Sequence, residues 1–226
     1  QAWTAVPSTN HPFGNAQTVY GADVDLDAVD WLGLGATYEH RARERTFREI
    51  DDDDENVVIA EASLTPARHV RLTGKYQYGK RTPGEFLEED YQNDAGRFIE
   101  QPGLRRFDVA ERTQNAAKAG VSWMAGEKVM FSASYDHQKN EYPGSELGLV
   151  EQKVDAAIGQ ATWHAASTVD LTAGYGFSEA VAGQDSREGP SSTLRLDDST
   201  NWHANLTDRN AFLFSVMNGM ASLRYS

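Results

Sequence analysis

Hydrophobic and polar residues alternate with a period of two along much of the chain. In the segment 70–78 one face carries Val70, Leu72, Gly74, Tyr76 and Tyr78. The opposite face carries Arg71, Thr73, Lys75 and Gln77. Segments 129–135 and 169–177 follow the same rule. This is the period of a β-strand with one apolar and one polar face, so the pattern predicts an all-β protein.

About ten strands are predicted, and the lengths of their connections alternate. The strands lie near 17–27, 31–45, 57–64, 69–80, 106–124, 128–140, 151–163, 167–181, 200–216 and 220–226. Connections at 27–30, 65–69, 125–128 and 164–168 are short, whereas those at 46–56, 81–105, 139–152 and 184–199 are long. Short turns require antiparallel neighbours. Long loops at one end only are typical of outer-membrane barrels.

The fold prediction is an antiparallel up-and-down transmembrane β-barrel over residues 17–226, preceded by an irregular segment, 1–16. Aromatic residues support it, because Trp31, Trp123 and Trp163 lie beside short turns. Tyrosines of the apolar faces lie toward the long-loop ends, as expected for two aromatic girdles at the membrane interfaces. A soluble β-sandwich also alternates, but it has no reason to keep its loops long at one end.

Composition narrows the class of partners. The 226 residues carry a formal net charge of −13, which argues against nucleic acid. Mean hydropathy is −0.60, and no run approaches the roughly 20 apolar residues of a transmembrane helix. A barrel keeps hydropathy low because only alternate residues face lipid. Cysteine is absent, which excludes disulfides and covalently attached haem c. Residues 1–14 do not resemble a signal peptide, so a mature form or an internal fragment is expected.

Candidate chemistry is sparse. The acidic run 51–55 offers carboxylates for Ca²⁺ but lacks EF-hand spacing, and a solvated loop is the preferred interpretation. Gly33-Leu-Gly35 and Gly174-Tyr-Gly176 do not complete a phosphate-binding loop. Axial ligation of a haem by a histidine is a minor alternative. The chain has six scattered histidines: His11, His40, His69, His137, His164 and His203. No nucleophile elbow is present, so no enzyme activity is expected.

The polar faces of the strands are the remaining candidates for function. Six residues are predicted to face the lumen or a partner within it: Arg71, Lys75, Gln77, Lys118, Asp155 and Asp170. In a porin they set ion selectivity, and in a sheath they contact the enclosed protein. A one-residue change of register reverses each assignment.

Several segments resemble the MtrB/PioB family of outer-membrane barrels. Residues 104–112 (LRRFDVAER) resemble its loop-to-strand signature, and the strand pair at 119–123 and 131–135 continues the pattern. Residues 141–149 (EYPGSELGL) resemble the family's (D/E)YPxSxLGL loop, and residues 201–209 resemble its W…D-R strand opening. Family barrels have more than twice the predicted number of strands, which implies that this chain is a fragment of a larger barrel. The N-terminal Cys-x-x-Cys of some members is absent.

The resemblance implies a sheath in the bacterial outer membrane. Such barrels hold a multihaem c-type cytochrome in the lumen, and electrons pass along its haems; an extracellular cytochrome is a further candidate partner. Haem c is then expected on the partner, with no cofactor or metal held by this chain. The alternative function is a general porin or substrate channel.

Overall fold

The computed structural model describes residues 14–46, 50–85, 106–145, 147–166, 169–188 and 200–219, the backbone alone from 186 onward. These residues form nine strands: β1 Asn15–Val29, β2 Leu32–Arg45, β3 Asp52–Ala67, β4 Val70–Pro83, β5 Arg112–Ala125, β6 Val129–Glu141, β7 Gly148–Ala166, β8 Val169–Glu188 and β9 Thr200–Gly219. They pair in sequence order into one antiparallel sheet, and β1 and β9 are its edges. The up-and-down all-β prediction is confirmed.

The connections alternate as predicted. Between β5 and β6 the chain reverses within residues 126–128, where Gly126 has φ 77°, a conformation that glycine adopts without steric cost. At the other end, residues 84–111 separate β4 from β5. The strands have 13 to 20 residues, more than the 9–11 or so that a tilted strand needs to cross a bilayer. No helix in the described part of the chain is long and apolar enough to cross a membrane.

Register gives the sheet two chemically different faces. Leu72 pairs with Leu64 and Val121, and Trp123 pairs with Phe131, so these residues share what we call the apolar face. Large side chains of this face stay exposed, as a lipid-facing surface requires: they include Leu26, Leu34, Tyr38, Val58, Tyr76, Tyr135, Trp163 and Leu171. The opposite, polar face carries Arg71, Lys75 and Lys118.

Several predicted boundaries are wrong at the long-loop end. β3 begins at Asp52 rather than near 57, and β8 continues to Glu188 rather than 181. β5 begins at Arg112 rather than 106, because residues 106–110 form a turn. β1 begins at Asn15, within the segment predicted to be irregular, while residues 1–13 lie outside the described residues. The tenth predicted strand, 220–226, also lies outside them.

Candidate functional site

A row of charged residues crosses the polar face about halfway along the strands. Glu61, Lys75, Lys118 and Asp136 are register neighbours on β3 to β6. Lys75 Nζ lies 2.6 Å from Glu61 Oε1, and Lys118 Nζ lies 2.7 Å from Asp136 Oδ1. The two lysines are adjacent, but each is neutralised by an acid on its other side. The row is therefore polar and close to electroneutral.

The next row toward the short turns consists mainly of small residues. It runs across six strands through Gly33, Ser63, Thr73, Gly120, Ser134 and Ile158. A Cβ atom at Gly120 would lie 2.7 Å from Thr73 Oγ1, so a side chain there would force Thr73 on the neighbouring strand to change its rotamer. Apart from Ile158, these side chains project little from the wall. This zone leaves room beside the polar face.

Five of the six residues predicted to face the lumen share the polar face. Arg71 donates to Ser63 Oγ at 3.2 Å, Gln77 donates to Gln114 Oε1 at 2.7 Å, and Asp170 contacts His164 at 2.6 Å. Together with Lys75 and Lys118, each therefore bonds to a neighbouring strand. Their role toward a partner or an ion stays a prediction.

Asp155 was assigned to the wrong face. It is paired in register with His137, and it shares the apolar face with Trp163, eight residues further along β7. Its Oδ1 accepts hydrogen bonds from Tyr135 Oη at 2.5 Å and from His137 Nδ1 at 2.7 Å, and Lys153 Nζ lies 2.9 Å from its Oδ2. The prediction failed because β7 lacks a clear apolar alternation from which its register can be read.

The same contact recurs at the long-loop end of the apolar face. Tyr38 Oη donates to Asn56 Oδ1 at 2.6 Å, and Tyr76 Oη donates to Asn115 Oδ1 at 2.7 Å. Tyr135 and Asp155 are the third pair. In each pair the acceptor lies on the next strand, two residues nearer the long loop than the tyrosine's register partner. We call these contacts the tyrosine bridges; they place a ring toward lipid and a hydroxyl toward the polar boundary.

The acidic run 51–55 is not a solvated loop, which corrects the preferred interpretation. Residues 52–55 open β3, and the alternation of the strand sends Asp53 and Glu55 to the polar face, away from Asp52 and Asp54. Asp53 is 3% exposed and Glu55 is fully buried. Because the acids point to two faces, they do not converge on one Ca²⁺. Among the described residues, no group of three or more His, Asp or Glu residues could hold a metal.

Arginines from three other strands surround these two acids. Arg43 Nη2 lies 2.6 Å from Glu55 Oε2, and its Nη1 lies 3.2 Å from Asp53 Oδ1. Arg112 pairs with Glu55 Oε1, and Arg45 pairs with Asp53. Ionised buried acids need such partners, because desolvation of a lone carboxylate is very costly. We call Arg43, Arg45, Arg81 and Arg112, with Asp53 and Glu55, the arginine cluster.

Arg81 holds the chain segment that precedes β5. Its Nε donates to the carbonyl oxygen of Ala110 at 2.9 Å, its Nη1 to that of Asp108 at 2.9 Å, and its Nη2 to that of Phe107 at 2.6 Å. Arg45 also donates to the Asp108 carbonyl, at 3.4 Å. We call residues 106–111 the shelf. Because both arginines belong to the polar face, the shelf lies over that face, at its long-loop end.

A second turn, at residues 142–145, packs beside the shelf. Tyr142 is 3% exposed, and Leu147 is 2% exposed. Burial raises the pKa of the Tyr142 phenol, whereas the nearby Arg112 and Arg81 oppose that shift. A Cβ atom on Gly144 would lie 3.5 Å from Glu111 Cβ, which places this turn against the shelf. The two segments that carry the strongest family resemblance are therefore neighbours on the polar face.

Among the described residues, the apolar side chains that are almost fully buried lie mostly around the arginine cluster and the shelf rather than in the middle of the sheet. Val57 and Val109 are fully buried, and Ala110 is 1% exposed. The site could not be found from the sequence because its members are far apart in the chain: Glu55 and Arg112 are separated by 57 residues, and Arg45 and Asp108 by 63. The available signal was the excess of arginine in β2, together with acids spaced two apart in the run 51–55.

Histidines of the described side chains serve local contacts. His40 shares the Asn56 acceptor with Tyr38, and Tyr20 stacks on it with 5.2 Å between ring centroids. His137 and His164 each contact an aspartate. His11 and the side chain of His203 lie outside the described residues, so haem ligation by them is not tested.

An apolar outward face, a polar inner face and loops that are long at one end define a transmembrane β-barrel of the bacterial outer membrane. Residues 2–213 match the model of a protein family described as "Putative outer membrane beta-barrel porin, MtrB/PioB". The chain belongs to the MtrB/PioB family of outer-membrane β-barrels. A comparison with curated proteins gives no match.

Proposed function

We propose that this barrel is the sheath of an electron conduit, in which the polar face surrounds a multihaem c-type cytochrome. The observation that carries the proposal is the row of small residues on the polar face, from Gly33 to Ser134, in a member of a family whose resemblance implies such a partner. Short side chains let a bulky protein approach the wall closely. A polar cytochrome could not cross hydrocarbon without this shield.

The contribution of the chain is insulation and position rather than chemistry. The charge row and Arg71 are bonded laterally to neighbouring strands, which supports a wall that is polar yet mostly saturated. In this proposal the haems belong to the partner, an extracellular cytochrome can dock at the long-loop end, and the barrel itself is not an enzyme.

Purification of the native protein from membranes in mild detergent tests the sheath. The expected result is a stoichiometric haem-staining band and a c-type absorbance spectrum in the barrel fraction. A haem-free barrel that conducts ions would contradict the proposal. That outcome would leave the general porin or substrate channel as the function.

A pair of tryptophan substitutions on β6 tests whether the polar face meets the cytochrome. Ser132 lies on the polar face opposite Ser122, and its neighbour Ala133 lies on the apolar face opposite Val121. Ser132→Trp is expected to lower the haem retained per barrel about tenfold, equivalent to about 1.4 kcal/mol, because the indole occupies the partner's space. Ala133→Trp should retain haem. Equal retention by both variants would place the partner elsewhere.

A further inference from the structure

The shelf is the part of the described chain that is built over the polar face rather than into it. Its turn is closed by hydrogen bonds from the amides of Val109 and Ala110 to the carbonyl of Arg106, at 3.0 and 2.9 Å. Val109 is fully buried, whereas Phe107, two residues earlier, is 61% exposed. The shelf is thus a compact turn, with one side packed on the wall and the other open.

We propose that the shelf is a fixed constriction at the long-loop mouth of the barrel, and that Arg81 is the positioning residue that holds it there. The shelf and the neighbouring turn at residues 142–145 project from the polar face, where a plain barrel has only strand side chains. Any ion or partner that passes this end meets a mouth narrowed by their width. The inference does not depend on whether the lumen holds a cytochrome.

Arg81 suits this role because its guanidinium group donates to three carbonyls of the shelf at once, those of Phe107, Asp108 and Ala110. Asp53 and Glu55 lie on the same face as Arg81 and balance its positive charge. Arg81 itself is 4% exposed. A planar fork of five donors matches such a set of acceptors, whereas a shorter amide does not. Loss of Arg81 leaves the carbonyls of Phe107, Asp108 and Ala110 without this donor, and the shelf can then open locally.

Thiol labelling measures that opening in the complete protein in its membrane. Residues 1–226 contain no cysteine, so Val109→Cys introduces the single thiol of this part of the protein, and the unsubstituted protein gives the labelling background. We expect slow reaction with a water-soluble maleimide, in contrast to fast reaction of Phe107→Cys in the same turn. Adding Arg81→Gln should accelerate the labelling of Val109→Cys about tenfold or more, because the shelf is released. The matched control is Arg41→Gln, on the same face and toward the same end of the sheet, which should leave the rate unchanged because Arg41 bonds to Glu39 rather than to the shelf.

Equal labelling rates in the Arg81→Gln and Arg41→Gln backgrounds would overturn the positioning role. Rapid labelling of Val109→Cys with Arg81 intact would overturn the shelf itself. If Arg81→Gln does not give a folded, heat-modifiable barrel, Arg81→Lys decides. It keeps the charge beside Glu55 but loses the planar fork, and it should accelerate labelling to a smaller degree.

Single-channel conductance tests the constriction separately. The full-length barrel, washed free of any haem protein, is reconstituted into a planar bilayer. Arg81→Gln is expected to raise the conductance above that of Arg41→Gln, although both variants remove one positive charge from the same end of the same face. Equal conductance in the two variants, with faster labelling in the first alone, would show that the shelf moves without narrowing the mouth and would overturn the constriction.

Discussion

Glu55→Gln is expected to lower the free energy of unfolding by about 3–5 kcal/mol, the usual cost of removing one member of a buried ion pair. Glu55 is fully buried and accepts from both Arg43 and Arg112. The amide keeps the shape of the side chain but leaves two guanidinium groups facing each other without their shared anion. Urea unfolding of the refolded barrel in lipid vesicles, followed by tryptophan fluorescence, measures the change.

Glu61→Gln is the control for that loss. Glu61 lies on the same strand and face and pairs with Lys75 at 2.6 Å, but its side chain is 51% exposed. An exposed pair of this kind contributes less than about 1 kcal/mol, because water replaces the partner. Similar effects of the two substitutions would mean that the arginine cluster is hydrated and does not stabilise the long-loop end of the sheet.

Ala133→Arg is expected to destabilise the barrel in the membrane by about 2–4 kcal/mol, the cost of an arginine on the lipid face near the bilayer centre. Ala133 lies on the apolar face between Phe131 and Tyr135, opposite Val121 and Gly159. Phe131 and Tyr135 are exposed on the same face on either side of Ala133, so the guanidinium must reach past an aromatic ring to find water. Unfolding in vesicles and the yield of heat-modifiable barrel are the measurements.

Ser134→Arg provides the comparison, since it adds the same side chain one residue later. Ser134 faces the polar side, beside Gly120 and close to Asp136. It should therefore change stability by less than about 1 kcal/mol, as surface substitutions usually do. A greater loss for Ser134→Arg than for Ala133→Arg would reverse the assignment of the two faces.

Alternation predicted the sheet wherever one face of a strand is apolar. On β4 the residues from Val70 to Tyr78 fixed both the strand and its register, because a shift by one residue would expose Arg71 to lipid. β7 lacked this constraint: residues 151–153 are polar at both parities, Val154 lies on the polar face, and Asp155 was placed on the wrong face. Its partners Tyr135 and His137 become neighbours only through strand pairing.

The arginine cluster and the shelf could not be predicted, for a different physical reason. The run 51–55 has the composition of a solvated loop, since isolated carboxylates repel each other and favour water. Asp53 and Glu55 can be buried because Arg43 and Arg45 of β2 and Arg112 of β5 lie beside them. No pattern in the run itself indicates that these strands become neighbours. The same holds for Arg81. Its acceptors are backbone carbonyl oxygens, which every residue type carries, so the sequence does not indicate them.

The tyrosine bridges have a consequence for how a barrel of this kind can change in size. Each bridge closes one hairpin that carries a long loop: β2 with β3, β4 with β5, and β6 with β7. The tyrosine bridge within such a hairpin sets the depth of that hairpin in the membrane, independently of the other strands. Duplicating or deleting whole hairpins would therefore alter the circumference and leave every remaining strand at the same height in the bilayer. The hairpin, rather than the strand, is the module by which the width of the lumen could evolve.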